Sequence, residues 1–256
     1  MSEAPQEVQQ VHTRLLKCAL EVDDARAYWA RAHQPVSAER AFEDYWFGAK
    51  SIARVKVLLT NFRARFDAFP ESLPALRTMT MSASTRSAIC HWHLQLADPL
   101  YRAFTGTFLP ERQHLLRREF TRDLVIGWVE DQGPGRWTAS TRIQFASKLL
   151  SAAFSAGLLT GNRDPRTPIW PPIEDRALEY LLHLLRGVKM QGTLLDNPYL
   201  TSVGLSGNDL EERLRRLPSI KFTRQGSLVD MVWHHSSLTA WAASIADRDA
   251  HLEGVA

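Results

Sequence analysis

Apolar residues recur along this chain at spacings of three and four and seldom alternate, so the pattern predicts helices. Val11, Leu15, Cys18, Ala19 and Val22 share one helical face. Ala25, Tyr28, Trp29 and Ala32 extend it to the break at Pro35. Ser37 is placed to cap a helix running to about Trp46, with Gly48 as its stop. Ser51 opens a longer one through Phe69, ended by Pro70. Residues 71–110 read as helical, punctuated by Pro74, Pro99 and Pro110. Residues 117–132 make another helix, stopped by Gly133-Pro134-Gly135. Thr138 or Ser140 caps the next, which ends near Ala156 before Gly157. The prolines within 162–172 mark an extended connection, and 175–187 and 208–217 are again helical. Residues 220–223 and 227–233 read as strands joined by Arg224-Gln225-Gly226, a hairpin with glycine in the turn. The tail beyond 252 is expected to fray.

A helix, a short turn and a second helix recur at 37–69, at 117–156 and at 175–217, the last followed by the hairpin. The expected fold is therefore mostly α, with helix-turn-helix and winged-helix-like subdomains and a small β-hairpin (220–233). Two domains are expected: 1–110, helical and containing the unit 37–69, and 111–256, helical with the winged-helix-like units.

Composition narrows the class. A chain of 256 residues, 45% hydrophobic and 23% charged, is ordinary for a globular protein with a substantial core. Cys18 and Cys90 lie far apart without metal-ligand spacing, which argues against a disulfide scaffold. The opening residues lack a signal pattern, and no run reaches the roughly 20 apolar residues that cross a bilayer. The expectation is a cytoplasmic protein with no membrane contact. A net charge of +3 says little about partners until its distribution is known.

That distribution singles out three segments. Lys50, Arg54, Lys56, Arg63 and Arg65 fall within 50–66, which holds no acidic residue. On a helix they flank a face of small residues, opposite an apolar stripe from Ile52 to Phe69. Such a ridge suits a major groove, with cations on phosphates and Thr60 and Asn61 at base edges. The competing reading is a solvated basic face or a helix-packing face. In the second segment Arg136 precedes a helix that presents Thr141, Gln144 and Lys148 outward with Arg142 at its edge. That helix is expected to bury Ile143, Ala146, Leu149, Leu150, Ala153 and Phe154. The third is the hairpin, whose Arg224 could follow a phosphate backbone, although Asp209, Glu211 and Glu212 offset its charge.

Enzyme signals are weak. His91-Trp92-His93 is an H-x-H, but on a helix those rings point about 200° apart, and no second cluster completes four zinc ligands. Partly buried structural histidines are the expectation. Asp23-Asp24 and Glu43-Asp44 read as solvated pairs. No phosphate loop or nucleophile motif is legible. Neither a cofactor nor a metal is implied.

Four phrases carry a family resemblance: Thr13-Arg14-Leu15-Leu16-Lys17, Trp46-Phe47-Gly48-Ala49-Lys50-Ser51, Gln144-Phe145-Ala146-Ser147-Lys148-Leu149-Leu150 and Thr193-Leu194-Leu195-Asp196-Asn197-Pro198-Tyr199. In this order, between about Val11 and Trp233, they resemble the BrxA family, accessory proteins of BREX bacteriophage-exclusion systems once described as inner-membrane proteins. The resemblance implies a small helical protein with winged-helix-like parts that binds DNA and has no known enzymatic activity; the basic helical segments point to double-stranded DNA, and the modest net charge and few base-capable residues to low sequence specificity. The resemblance also implies a place beside a methyltransferase and other BREX components. No residue-level contacts come with it. The alternative is an adaptor that bridges other members of the defence complex without touching DNA.

Overall fold

The structure, a computed structural model, describes residues 4–226 and 228–253. Helices α1 (Arg14–Lys17), α2 (Val22–Arg31), α3 (Ala38–Glu43) and α4 (Ile52–Phe62) come first, and α4 runs on into a π-helical turn, Arg63–Asp67. Next are α5 (Ser72–Thr78), α6 (Ala83–Ala97) and α7 (Pro99–Ala103), a second π-helical turn, Phe104–Phe108, and α8 (Leu109–Gln113). Then follow α9 (Arg122–Asp131), α10 (Ala139–Ser155), α11 (Asp175–Leu185), α12 (Pro198–Thr201) and α13 (Gly207–Leu214). Strands β1 (Ile220–Gln225) and β2 (Leu228–Trp233) pair antiparallel, Phe222 opposite Met231, and α14 (Leu238–Glu253) closes the described chain. The protein is mostly helical with one small two-stranded sheet, the coarse class the periodicity predicts.

Helix α6 is the axis of the core. Ser82 caps it, accepting the Thr85 N–H at 3.1 Å, and every residue from Ala88 to Ala97 is buried. Helices α2, α7, α10 and α11 and the first π-helical turn pack around it. A helix buried on all sides must satisfy its polar side chains internally. His93 Nδ1 lies 2.7 Å from the Arg65 carbonyl, so it carries the proton, and Nε2 accepts from Tyr180 Oη at 2.8 Å. Ser202 Oγ donates to the Tyr199 carbonyl, so it accepts from His91 Nε2 at 2.9 Å, and His91 Nδ1 accepts from Tyr101 Oη at 2.9 Å. Both rings are thus fully buried and engaged at both nitrogens, which leaves neither an open lone pair. Among the described residues no group of His, Cys, Asp or Glu gathers as a metal requires, and no helix is long and apolar enough to cross a membrane.

The halves divided at residue 110 interlock, since α6 packs on α11 and α5 on α14. The N-terminal arm ties in as well: the Glu7 N–H donates to the Lys189 carbonyl at 3.0 Å and the Val8 N–H to that of Leu96 at 2.8 Å.

Several boundaries differ from expectation. The helix expected across 11–22 is only α1, because the chain turns extended at Cys18 and Glu21 is left-handed, with φ at 53°. The helix expected over 117–132 begins at Arg122, because Phe120 pairs in an isolated bridge with Arg166. Ile143 and Phe154, expected in the core, lie outward at 44% and 40% exposure, and Phe145 takes the inner place. Ser227 and the tail from 254 onward lie outside the described residues.

Candidate nucleic-acid interface

The ridge expected on α4 is only partly open: Ala53, Lys56, Thr60 and Arg63 face solvent, but Asn61 and Arg65 are buried and the cations are engaged within the chain. Arg65 is 3% exposed, its guanidinium donating to the carbonyls of Cys18 at 2.5 Å and Leu20 at 3.3 Å. Asn61 is equally inaccessible, its amide donating to the Val57 carbonyl at 2.8 Å. Arg54 reaches the Lys17 carbonyl at 2.6 Å and Glu21 at 2.7 Å. Lys50 pairs with Asp24 at 2.8 Å, Lys56 with Glu39 at 3.0 Å, and Arg63 holds the Val36 carbonyl. Thr60 turns back onto the Lys56 carbonyl at 2.9 Å. The physical reason is local charge complementarity. Glu21, Asp24 and Glu39, in the segments just before α4, meet the cations that a single helical wheel assigns to phosphates.

The hairpin is engaged too. Arg224 pairs with Glu211 and donates from Nε to the Gly226 carbonyl at 3.0 Å, while Arg215 shares Glu211 at 3.1 Å. Asp209 and Glu212 are exposed on α13, so an approaching phosphate would meet negative charge there first.

The α9–α10 unit is arranged differently. The two helices pack closely across residues 132–138. Trp137 fills that corner against Phe145, with ring centroids 4.9 Å apart, and Arg136 lies 5.3 Å from the Trp137 ring while donating to the Val11 carbonyl at 2.8 Å. Arg136 therefore braces the turn against the N-terminal segment. Thr138 caps α10, accepting the Thr141 N–H at 3.3 Å, and its hydroxyl lies 3.0 Å from that of Thr141. Arg142 pairs with Glu130, whose carboxyl that hydrogen bond holds below its ordinary range.

Just past α10 the backbone forms a small ladder. The Thr160 N–H donates to the Thr167 carbonyl at 3.0 Å and the Ile169 N–H to that of Leu158 at 2.9 Å. Phe120 and Arg166 exchange bonds of 3.0 and 2.9 Å. Three short extended segments thus lie side by side with 166–169 in the middle, and the loop 161–165 projects between two of them. Asp164 Oδ2 accepts the Arg122 N–H at 2.9 Å, tying that loop to the first turn of α9.

The outward side of α10 carries Ser140, Ile143, Gln144, Ser151 and Ser155, with Lys148 half-buried beside them. No acidic residue occurs between Asp131 and Asp164. Among the described residues Lys148, Arg163, Arg117, Arg118 and Arg122 have no ion-pair partner, unlike Arg54 and Lys56 of α4. The sequence reading placed Thr141, Gln144 and Lys148 on this face but missed Arg117, Arg118, Arg122 and Arg163. The acid-free interval was visible in the sequence; the ladder that brings 122 and 163 together was not.

No protein-family model matches this chain, and no curated protein does. Among solved structures it is similar to an uncharacterized protein from Magnetospirillum magneticum, 15% identical, with a TM-score of 0.54 over 68% of this chain and 92% of that one. At that identity the likeness concerns the fold alone.

Proposed function

We propose that the protein is a non-enzymatic, double-stranded DNA-binding factor of low sequence specificity, and that residues 109–169 form a winged-helix unit whose α10 enters the major groove. The order supports this: helix α8, the bridge at Phe120, helices α9 and α10, then two short extended segments around a projecting loop. In such a unit the second helix of the pair faces base edges, while the wing and the start of the first contact phosphates. The observation that carries the reading is the acid-free face of α10 bordered by Lys148, Arg122 and Arg163, which have no ion-pair partner among the described residues. Gln144 and the serines offer a few base-edge contacts, too few for strong sequence preference. The resemblance to the BrxA family supplies the setting: an accessory protein of a BREX phage-defence system, acting beside its methyltransferase.

Fluorescence anisotropy on a random duplex tests the assignment. Reversing both cations, K148E with R163E, should weaken binding roughly tenfold or more at moderate salt. K56E, on exposed Lys56 of α4, should leave binding unchanged. An equal loss in K56E would return the interface to α4. One observation favours the adaptor reading: Leu228 and Val232 of β2 are exposed at 69% and 49%. Absence of any anisotropy change at low salt would leave that reading standing.

A further inference from the structure

The loop joining α8 to Phe120 carries the sequence Leu115-Leu116-Arg117-Arg118. Leu116 is wholly exposed, Leu115 is 49% exposed, and Leu124 on the facing turn of α9 is 37% exposed. Single exposed leucines need no explanation, but an apolar cluster ringed by charge marks a contact site. Here the cluster borders an open groove of about 810 Å³ that also takes in Arg112, Arg117, Thr121 and Pro165. Pro165 adjoins Asp164, which caps α9 at Arg122, so the leucines sit against the start of α9 and the base of the 161–165 loop. Those are the two elements assigned above to phosphates. The exposed leucines therefore continue the proposed interface.

Charge indicates the occupant. Arg117, Arg118, Arg122 and Arg163 lack ion-pair partners among the described residues, and Glu119 is the acid closest to the two leucines in sequence. Guanidinium groups on either side of an apolar tip suit a duplex, where they hold phosphates while the tip enters between base steps. An in-plane membrane helix would instead present an apolar face along several turns, and this cluster is one short loop with a single facing side chain.

We infer that Leu116, backed by Leu115, is a wedge that enters the minor groove beside the α10 site and bends the duplex. The inference rests on the reading of the α9–α10 unit as DNA-binding. Partial unstacking by such side chains kinks duplexes by roughly 20–90° toward the major groove.

The experiment uses the full chain and a 30-bp duplex dyed at both ends. Anisotropy reports binding, and energy transfer between the ends reports bending. Wild type should bind and raise the transfer. Leu116→Ala, a change on a fully solvated side chain, should bind within about tenfold of wild type yet leave the transfer near that of free duplex. Binding by wild type without a rise in transfer would overturn the wedge while sparing the DNA reading. So would a Leu116→Ala protein that bends like wild type. No anisotropy change at low salt would remove the DNA reading and the wedge with it. A parallel arm with phosphatidylserine vesicles checks the other polyanionic surface: wild type binding vesicles through Leu116, with no bend in DNA, would also overturn the proposal.

Discussion

A guanidinium can be enclosed in a protein only where other acceptors replace its water, and Arg65 meets that condition with two backbone carbonyls. Those carbonyls belong to the segment where the chain leaves α1, so the side chain fixes the path of residues 18–21. Arg65→Met keeps the stem and removes the donors. We expect a loss of about 2 kcal/mol, since two buried acceptors lose a partner, seen as a lower urea midpoint at unchanged slope. DNA affinity of the folded variant should not move. Weaker binding at an unaltered midpoint would instead place Arg65 at the nucleic acid. Burial also sets the state of the histidines. Desolvation pushes His91 down to about 3, His93 to about 4 and His183 to about 3. Their unfolded values lie near 6.5, so between 6.5 and 4 the unfolded chain binds more protons than the folded one. Stability is therefore fully present above pH 6.5 and falls as the pH drops, by roughly 2 kcal/mol per ring at pH 5. Asp98, raised by its own burial, works in the opposite sense at the acidic end. A urea midpoint that drops from pH 7.5 to 5, and drops less in His93→Gln, would bear this out; a flat profile would contradict it. The histidines' structural burial was legible in the sequence, but the role of Arg65 was not. A helical wheel shows which face Arg65 occupies, not which carbonyls from 45 residues upstream will meet it.

Elements divide by whether their signals are local. Ser37, Ser51 and Thr138 cap their helices as the sequence suggests, because a cap needs only the three residues that follow. The apolar stripe of α4 is buried from Val55 to Phe69 as expected, since periodicity is local too. The π-helical turns depend on distant packing and leave no such mark. Helix α12 is a single turn capped by Asn197, too short for a periodic signal. Helix α14 carries one: Leu238, Trp241, Ala242 and Ile245 repeat at helical spacing beyond the hairpin and are buried. The second π-helical turn shows what distance-dependent packing demands. A Cβ added to Gly106 would lie 2.5 Å from Pro198 Cβ and 3.0 Å from the Pro198 carbonyl oxygen. Glycine lets the first turn of α12 approach the backbone. Gly106→Ala must push that turn away, and overpacking of this kind costs about 1–3 kcal/mol. Thermal melting should register a drop of several degrees. An unchanged melt would mean α12 shifts freely, which its cap at Asn197 and the Trp92 bond to the Tyr199 carbonyl at 3.1 Å argue against.

At the scale of the whole molecule, the net charge of +3 is less informative than which cations are neutralised inside the chain. The first 45 residues supply Glu21, Asp24 and Glu39 to Arg54, Lys50 and Lys56, so the cations on and just before α4 are neutralised within the chain. At the α9–α10 unit Arg117, Arg118, Arg122, Lys148 and Arg163 have no ion-pair partner among the described residues, and unlike Arg14, Lys17 and Arg26 elsewhere they border the acid-free face of α10. This partition is what the linear sequence concealed, because the basic run at 50–65 is the denser of the two. It makes a quantitative prediction. If those five side chains each neutralise a phosphate, the logarithm of the binding constant should fall with the logarithm of salt at a slope near −4.5, about −0.9 per contact. Removing Lys148 or Arg163 singly should flatten the slope by about 0.9 each, whatever the duplex sequence. Lys56→Ala, which leaves Glu39 on the surface, should leave it as it was. The slope separates charge at the interface from charge elsewhere, because a residue acting through fold stability shifts apparent affinity at every salt concentration alike. A slope insensitive to Lys148 and Arg163 but reduced by Lys56→Ala would place the duplex on the other half of the molecule, over a surface where Lys56 must first leave Glu39.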